Sequence, residues 1–245
     1  MTTFPRALIE VTIAAPADEV WRSLRDRERL AQWFGWDSDT LPAEIDYFFF
    51  AQGRGDDATL TLHFEGENDR FEIEPRGDSC VVRLIQPAPT ADHDWEDIFE
   101  DVTQGWIAFV QQLRFACERH RDDRRRTLFL SGAPRHGGDP LACAALGLPD
   151  NAAAGASYAI TAPMGDALAG RIWHRGRRQL GVTIDGLGNG LLIAMDRVPD
   201  EKRPHGHSQV IVTTYGLDDR SFEELAARWR TWWGEHFDGT MPGCA

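Results

Sequence analysis

The chain has 245 residues, and 39 acidic against 26 basic side chains give it a formal net charge of −13. A surface this acidic repels phosphate backbones and anionic lipid headgroups, which argues against nucleic acids and membranes as partners. Hydrophobic residues make up 42% of the sequence, enough for sizeable cores, and the chain is longer than a typical domain of about 100–150 residues. We therefore expect two globular domains.

The N-terminus has neither the basic region nor the long apolar run of a signal peptide, and no stretch approaches about 20 uninterrupted apolar residues. The four cysteines (Cys80, Cys117, Cys143 and Cys244) form no CxxC pair and no cluster at metal-ligand spacing. These features predict a cytoplasmic protein that carries no metal or cofactor. The cysteines are expected to be buried hydrophobes, except for a tail thiol at Cys244.

Residues 7–35 predict one strand followed by two short helices. Apolar and polar residues alternate from residue 7 to 13, as in a strand with one buried face. Pro16 suits the first turn of a helix, where its missing N–H costs nothing, and two acidic residues follow it there. A second apolar helical face ends at Gly35, a residue typical of helix ends.

The remainder of the first half predicts a meander of strands and one long helix. Strand-like runs separated by turn residues occupy residues 43–51, 58–66, 69–75 and 79–87. Apolar residues then recur at steps of three and four from Trp95 to Cys117, which predicts an amphipathic helix reaching about Arg121. The charge run at 119–126 has nothing to bury and is the predicted linker.

The second half repeats this order of elements. A strand at 127–133 and a short helix at 139–149 precede strands predicted at 155–161, 168–176, 178–186, 190–198 and 208–216. A closing helix follows at 219–237, where Ser221 and Glu224 have the spacing of a capping box. Its predicted buried stripe comprises Phe222, Leu225, Ala226, Trp229, Trp233 and His236. The parallel order indicates a duplicated domain, with copies at 1–122 and 127–245.

Two segments carry a resemblance to a known family. "TIAAPADEVWRSLRDRERLAQWFG" (12–35) resembles the opening of the START/SRPBCC superfamily, in particular the group named after the activator of the 90-kDa heat-shock chaperone's ATPase. "GWIAFVQQL" (105–113) resembles that group's closing helix, whereas Arg27 stands where proline is common. The resemblance implies an α+β helix-grip fold, in which a curved antiparallel sheet wraps around a long C-terminal helix, in two tandem copies with the second degenerate.

A helix-grip domain implies a cavity between sheet and helix, and aromatic residues are the candidates for lining it. The candidate ligand-binding residues are Trp21, Trp33, Phe34 and Trp36 at the entrance, Trp106, Phe109 and Leu113 on the floor, and Trp229 and Trp233 in the second copy. Such a concave apolar site suits a small hydrophobic molecule. The alternative is that the same aromatics simply fill the core.

Polar candidates are weaker. His63 lies on the polar side of an alternating strand and is expected to face solvent. The basic cluster from Arg171 to Arg178 suits an anionic group or balances nearby carboxylates, and His205 and His207 lack a third metal ligand nearby. The sequence contains no Walker loop, nucleophile elbow, HExxH motif or dinucleotide fingerprint, so no catalytic residue is assigned.

Three functions remain open. The first is binding of a small hydrophobic molecule, as in a carrier or sensor. The second is docking on a chaperone or another protein, as the resemblance to the ATPase activator implies. The third is an enzyme similar to a polyketide cyclase, and the resemblance does not choose among the three. The oligomeric state is either a monomeric pseudo-dimer or a homodimer.

Overall fold

The computed structural model describes residues 6–65, 69–86 and 96–239. The chain divides into two compact units, residues 1–122 and 123–245. The division falls inside the charge run at 119–126.

The first unit contains one antiparallel sheet and a long helix. Its elements are β1 (Arg6–Ile13), α1 (Ala17–Arg25), α2 (Arg27–Leu30), α3 (Leu41–Ile45), a π-helix (Asp46–Ala51), β2 (Gly53–Asp56), β3 (Thr61–Phe64), β4 (Arg70–Pro75), β5 (Cys80–Gln86) and α4 (Glu96–Arg119). The five strands are ordered β1-β5-β4-β3-β2. β1 pairs with β5, the last strand of the unit. The first and last strands are therefore neighbours in the sheet although they are far apart in sequence.

The predicted strand at 43–51 is wrong, because this segment is helical. Leu41, Ile45 and Phe49 are all buried and stand four residues apart, so helical winding places them together on the core side. The backbone N–H of Gln52 bonds to the carbonyl of Tyr47, five residues earlier, as a π-helix requires. Residues 53–57, predicted as a turn, contribute the edge strand β2 instead.

The core of the first unit lies between its sheet and α4. In β4 and β5 alternate residues such as Phe71, Ile73 and Val82 are buried, which is the pattern of a sheet with one covered face. Val110 and Leu113 of α4 belong to the same buried cluster. The sheet therefore grips the long helix, as the sequence predicts.

The second unit repeats the plan with a larger sheet. Its elements are β6 (Arg125–Pro134), α5 (Ala142–Ala145), β7 (Ser157–Thr161), β8 (Ala167–Arg175), β9 (Gln179–Ile184), β10 (Gly190–Arg197), β11 (His207–Tyr215), α6 (Asp219–His236) and β12 (Phe237–Asp238). The strand order is β12-β6-β11-β10-β9-β8-β7, with antiparallel neighbours throughout. The chain thus contains two tandem helix-grip units of the α+β class.

The closing helix α6 buries most of its predicted stripe but differs from the prediction at both ends. The N-cap is Asp218, whose carboxylate accepts from the backbone N–H of Ser221 at 2.7 Å, so Ser221 is the third helical residue and not the cap. His236 is exposed, and Trp232 is buried in its place. His236 stacks on the Trp232 ring with centroids 5.0 Å apart.

In the described part of the chain, no helix is both long and apolar enough to cross a membrane.

Candidate ligand-binding site

The interior of the first unit contains a continuous cluster of aromatic rings. Its members are Trp33, Phe34, Trp36, Phe48, Phe49, Phe64, Phe71, Trp106 and Phe109, with neighbouring centroids 5.0–6.4 Å apart. Phe34 lies at its centre, 5.0 Å from Phe49, 5.2 Å from Phe109 and 5.7 Å from Trp106. Most pairs meet edge to face, the geometry that aromatic quadrupoles favour. These rings are in direct contact, so there is no room for a ligand between them.

Burial separates the predicted site residues into two groups. Trp33, Phe34 and Leu113 are 1%, 3% and 0% exposed and belong to the core. The half-buried members of the cluster are Trp36, Phe48, Trp106 and Phe109, which we call the aromatic mouth. The order of depth is therefore the reverse of the predicted one, since Trp33 and Phe34 are deeper than Trp106 and Phe109.

Three elements hold the aromatic mouth in place. Phe48 comes from the π-helix, Trp106 and Phe109 come from α4, and Trp36 follows α2. The turn before Trp36 is made by Gly35, whose φ of +59° is the left-handed conformation that glycine adopts without strain. The Gln112 side chain donates from Nε2 to the Gly35 carbonyl at 3.2 Å, which ties this turn to α4.

The rim of the aromatic mouth is apolar and exposed. Tyr47, whose ring lies 5.3 Å from that of Phe48, is 55% exposed, and Val102 of α4 is 49% exposed. Gly105 stands one residue before Trp106, and a β-carbon at Gly105 would meet only Cε2 of Phe109, at 4.0 Å. The helix therefore has space for an added group beside the mouth.

Trp21 lies in the same core but has different partners. Its indole N–H donates to Oδ1 of Asp57 at 2.8 Å, and the Arg25 guanidinium lies 5.8 Å from the centroid of its ring. The hydrogen bond fixes α1 against the residues between β2 and β3, whereas the Arg25 contact lies within α1. Trp21 is 8% exposed.

The two candidates of the second unit, Trp229 and Trp233, are buried at 0% and 4% exposure. Trp229 donates its indole N–H to Oδ2 of Asp166 at 2.8 Å. Trp233 stacks on Phe237 with centroids 4.1 Å apart. Both tryptophans therefore have the contacts of core residues, Trp229 with a carboxylate and Trp233 with an aromatic ring.

The pKa values of three cysteine thiols are raised above the ordinary value. Burial raises the pKa of Cys80 to about 12 and that of Cys117 to about 11. Burial also raises the pKa of Cys143, and Asp196 adds to that rise. A protonated thiol is a poor nucleophile. Cys80 and Cys117 are buried as predicted, whereas Cys143 is half-buried and Cys244 lies outside the described residues.

The polar candidates are engaged elsewhere or exposed. His63 faces solvent, as predicted. His205 Nδ1 lies 3.2 Å from the Pro134 carbonyl, and His207 Nε2 lies 3.0 Å from Oγ of Ser131. Among the described residues there is no group of three side chains suited to a metal ion.

The basic cluster at Arg171–Arg178 stabilises a loop. Arg175 donates to the carbonyls of Ala152 and Pro149 at 3.1 and 3.0 Å, and Arg171 donates to that of Gly155 at 3.0 Å. These two guanidiniums therefore hold the segment between α5 and β7 by its backbone. This explains the two arginines without an anionic ligand.

Four of the nine cluster members are not among the predicted site residues. The sequence predicts Phe48, Phe49, Phe64 and Phe71 as strand residues and not as members of a site. The four-residue spacing of Leu41, Ile45 and Phe49 indicates a helix, which is the signal that Phe48 and Phe49 do not lie in a strand. It is obscured by three consecutive phenylalanines, which have high β propensity.

No family model and no curated protein matches the chain. Three solved structures are similar to it over most of their length. DynU16, from the dynemicin biosynthetic locus, is 18% identical over 92% of this chain and 93% of its own, with a TM-score of 0.29. The di-domain ARO/CYC StfQ of the steffimycin pathway is 13% identical over 93% of this chain and 91% of its own, with a TM-score of 0.36.

The third is the di-domain ARO/CYC BexL of the BE-7585A biosynthetic pathway. It is 14% identical over 98% of this chain and all of its own, with a TM-score of 0.38. All three TM-scores lie below 0.5, so these likenesses establish neither a reaction nor a ligand for this chain. The resemblance to the chaperone-ATPase activator group stays a prediction.

Proposed function

We propose that the first unit binds a small hydrophobic molecule with an aromatic ring system on the aromatic mouth. The observation that carries the proposal is the half-burial of four contiguous aromatic side chains. A core that merely closed on itself would bury them as it buries Trp33 and Phe34.

The position of the ligand follows from the packing of the rings. Because the centroids of Trp106, Phe109 and Phe34 are 5.2–6.1 Å apart, the ligand contacts the outward surfaces of the mouth and not the spaces between its rings. Covering that surface removes apolar area from water, which contributes roughly 25 cal/mol per Å². Aromatic partners add edge-to-face or offset contacts of about 0.5–1.5 kcal/mol each.

Native mass spectrometry of the purified protein, followed by denaturing extraction, tests the proposal first. A stoichiometric small molecule that is released on denaturation supports it and identifies the ligand. A protein that purifies without a ligand is then titrated with N-phenyl-1-naphthylamine, a neutral aromatic fluorophore. The proposal expects saturable fluorescence at one site.

Variants locate the probe. Trp36→Ala and Phe48→Ala are expected to weaken its binding by roughly tenfold or more each, because each removes a stacking surface. Gly105→Ala is also expected to weaken binding by crowding the mouth, while alanine in place of glycine stabilises the helix by about 0.5–1 kcal/mol. Loss of binding in this variant therefore cannot be attributed to unfolding.

Val198→Ala provides the matched control. Val198 is an exposed aliphatic residue of the second unit, 67% accessible to solvent. Its removal is expected to leave the binding of the probe unchanged. Equal effects from Val198→Ala and Phe48→Ala would contradict the proposal, and so would probe fluorescence that never saturates.

A further inference from the structure

Trp106 of the aromatic mouth carries a hydrogen-bond donor that the protein does not use. Three other tryptophans, Trp21, Trp33 and Trp229, donate their indole N–H to a carboxylate or a backbone carbonyl at 2.8 Å. Within the part of the chain that the structure describes, the contacts of Trp106 are contacts between rings, and its Nε1–H has no acceptor. A donor at an apolar surface that lacks an acceptor loses part of its hydration without compensation.

The Trp106 nitrogen is accessible from outside. The described polar atoms that are both enclosed and unpartnered include the indole nitrogens of Trp232 and Trp233, but not that of Trp106. Trp106 is half-buried, so its unpaired nitrogen lies on the part of the side chain that meets solvent. A ligand on the aromatic mouth can therefore reach this N–H without displacing a protein group.

Neighbouring rings hold Trp106 in a fixed orientation. Its centroid lies 5.7–6.4 Å from those of five phenylalanines, namely Phe34, Phe48, Phe64, Phe71 and Phe109. A ring that is packed on several sides keeps one rotamer, so its N–H has a constant direction and loses little freedom when a ligand binds. Phenylalanine has no polar side-chain atom, so the Trp106 N–H is a polar point within an aromatic surface.

The indole N–H determines which ligand group fits it. Tryptophan can only donate at this atom, so the ligand must supply an acceptor. The acceptor is neutral, because an anion would lose its hydration against apolar rings and would be repelled by a chain with a net charge of −13. A carbonyl oxygen on the edge of a ring system combines a neutral acceptor with the flat apolar surface that the other rings contact.

We infer that Trp106 is a specificity-determining residue of the aromatic mouth, whose Nε1–H donates to a carbonyl oxygen on a neutral, flat aromatic ligand. The inference rests on the proposed function, since it concerns a ligand bound on the same surface. It goes further in one respect. Apolar contact accepts any ring system of suitable size, whereas this hydrogen bond favours a ring system with a carbonyl group over the same ring system without one.

The test compares fluorenone with fluorene, two flat molecules of which one has a carbonyl group where the other has a methylene group. Each competes with N-phenyl-1-naphthylamine for the intact protein, which gives a dissociation constant for each. Trp106→Phe keeps an aromatic ring and removes the N–H. In this variant we expect the binding of fluorenone to be weakened by roughly two- to tenfold more than that of fluorene, the effect of one neutral hydrogen bond. The ratio of the two constants cancels the loss of ring area, which both ligands share.

Phe48→Leu is the matched control, because it changes the ring surface of the aromatic mouth and no polar group. It is expected to weaken the binding of both compounds alike, so that the ratio of their dissociation constants stays at the wild-type value. Thermal unfolding verifies that both variants fold.

The infrared C=O stretch of bound fluorenone gives a readout that does not depend on affinity. A hydrogen bond to the carbonyl oxygen lowers the frequency of this stretch. We expect a lower wavenumber on the wild-type protein than in a hydrocarbon solvent, and we expect part of that decrease to be lost on Trp106→Phe. The wild-type spectrum requires no variant.

Three results would overturn the inference. The first is an unchanged ratio of the two constants in Trp106→Phe while both compounds displace the probe, which leaves the proposed function standing. The second is a C=O stretch of bound fluorenone equal to that in a hydrocarbon solvent. The third is tighter binding of fluorene-9-carboxylate than of fluorenone, which would assign the donor to an anion. Absence of saturable binding by the naphthylamine itself would instead contradict the proposed function, and this inference with it.

Discussion

Trp33 shows how one side chain can hold several elements together. Its ring meets Phe34, Phe49 and Phe71 edge to face, with centroids 5.9, 5.7 and 6.3 Å away, and these partners come from the α2 region, the π-helix and β4. Its indole N–H is also satisfied, by the carbonyl of Ser23. Removing the ring therefore creates a cavity and leaves a buried carbonyl without its donor.

Trp33→Ala is expected to lower the free energy of unfolding of the first unit by about 3–5 kcal/mol. Chemical denaturation followed by circular dichroism measures this loss. Trp36→Ala is the matched variant, because Trp36 is half-buried and its removal opens a surface instead of an internal cavity. Equal losses from the two variants would show that Trp36 belongs to the core.

At the scale of single residues, the sequence indicated which aromatics gather but not how deep each one lies. Trp33, Phe34, Trp106 and Phe109 were expected in one site, and they do meet. Depth depends on which elements cover a residue, and the segment that covers Phe34 includes Phe48, which was assigned to a strand. An error in one element therefore exchanged entrance and floor.

The segment 41–51 was the largest departure at the scale of elements. The β propensity of this segment favours a strand, since Tyr47 to Phe50 are four consecutive aromatic residues. The position of Pro42 in the first turn of α3 is the helical signal that competes with them. The winding of a π-helix has no periodic pattern that short segments reveal, because it occupies little more than one turn.

The cap of α6 makes stability depend on pH. The Ser221 backbone N–H holds the pKa of Asp218 below its usual range. A carboxyl whose pKa is lower in the folded state stabilises the fold above its ordinary pKa of about 4, and this contribution is lost as the pH falls through the folded value.

Asp218→Ala is accordingly expected to lower the unfolding temperature at pH 7, and the difference from the wild type is expected to shrink below pH 4. Thermal unfolding at several pH values measures both effects. Asp218→Asn serves as the control, because asparagine caps helices without a titratable charge. A difference that grows in acid would contradict the assigned cap.

For the whole molecule, the sequence predicted the architecture better than the sites. The repeated order of strands and a closing helix led to two helix-grip units, and the strands of the second half lie within a few residues of their predicted bounds. Both halves have long periodic elements, from which fold class is most reliably inferred. Sites depend on side-chain depth and pairing, as with Arg175, which binds backbone carbonyls and not a ligand.

The joint between the units is expected to be an early site of proteolysis. Residues 120–124 lie between α4 and β6, and Arg121 and Arg124 are both exposed. Limited digestion with trypsin is expected to yield fragments of about half the chain, identified by mass spectrometry as ending at one of these arginines. The variant with both changed to glutamine is expected to lose those fragments.

A different early pattern would argue against an accessible joint. Cleavage that begins inside β10 or β11 while the joint stays intact is the contradicting result.

The π-helix at Asp46–Ala51 determines how the fold responds when one residue is removed from this segment. Its winding takes up about one residue more per turn than the 3.6 of an α-helix. Deleting a single codon there would therefore let the segment rewind as α-helix between the same ends, with β2 still in place. The residues on either side of the segment would then keep their orientation, and only the residues inside it would change the side that they present. Insertions and deletions at this point thus offer a way of changing which phenylalanine faces the mouth without changing the rest of the domain.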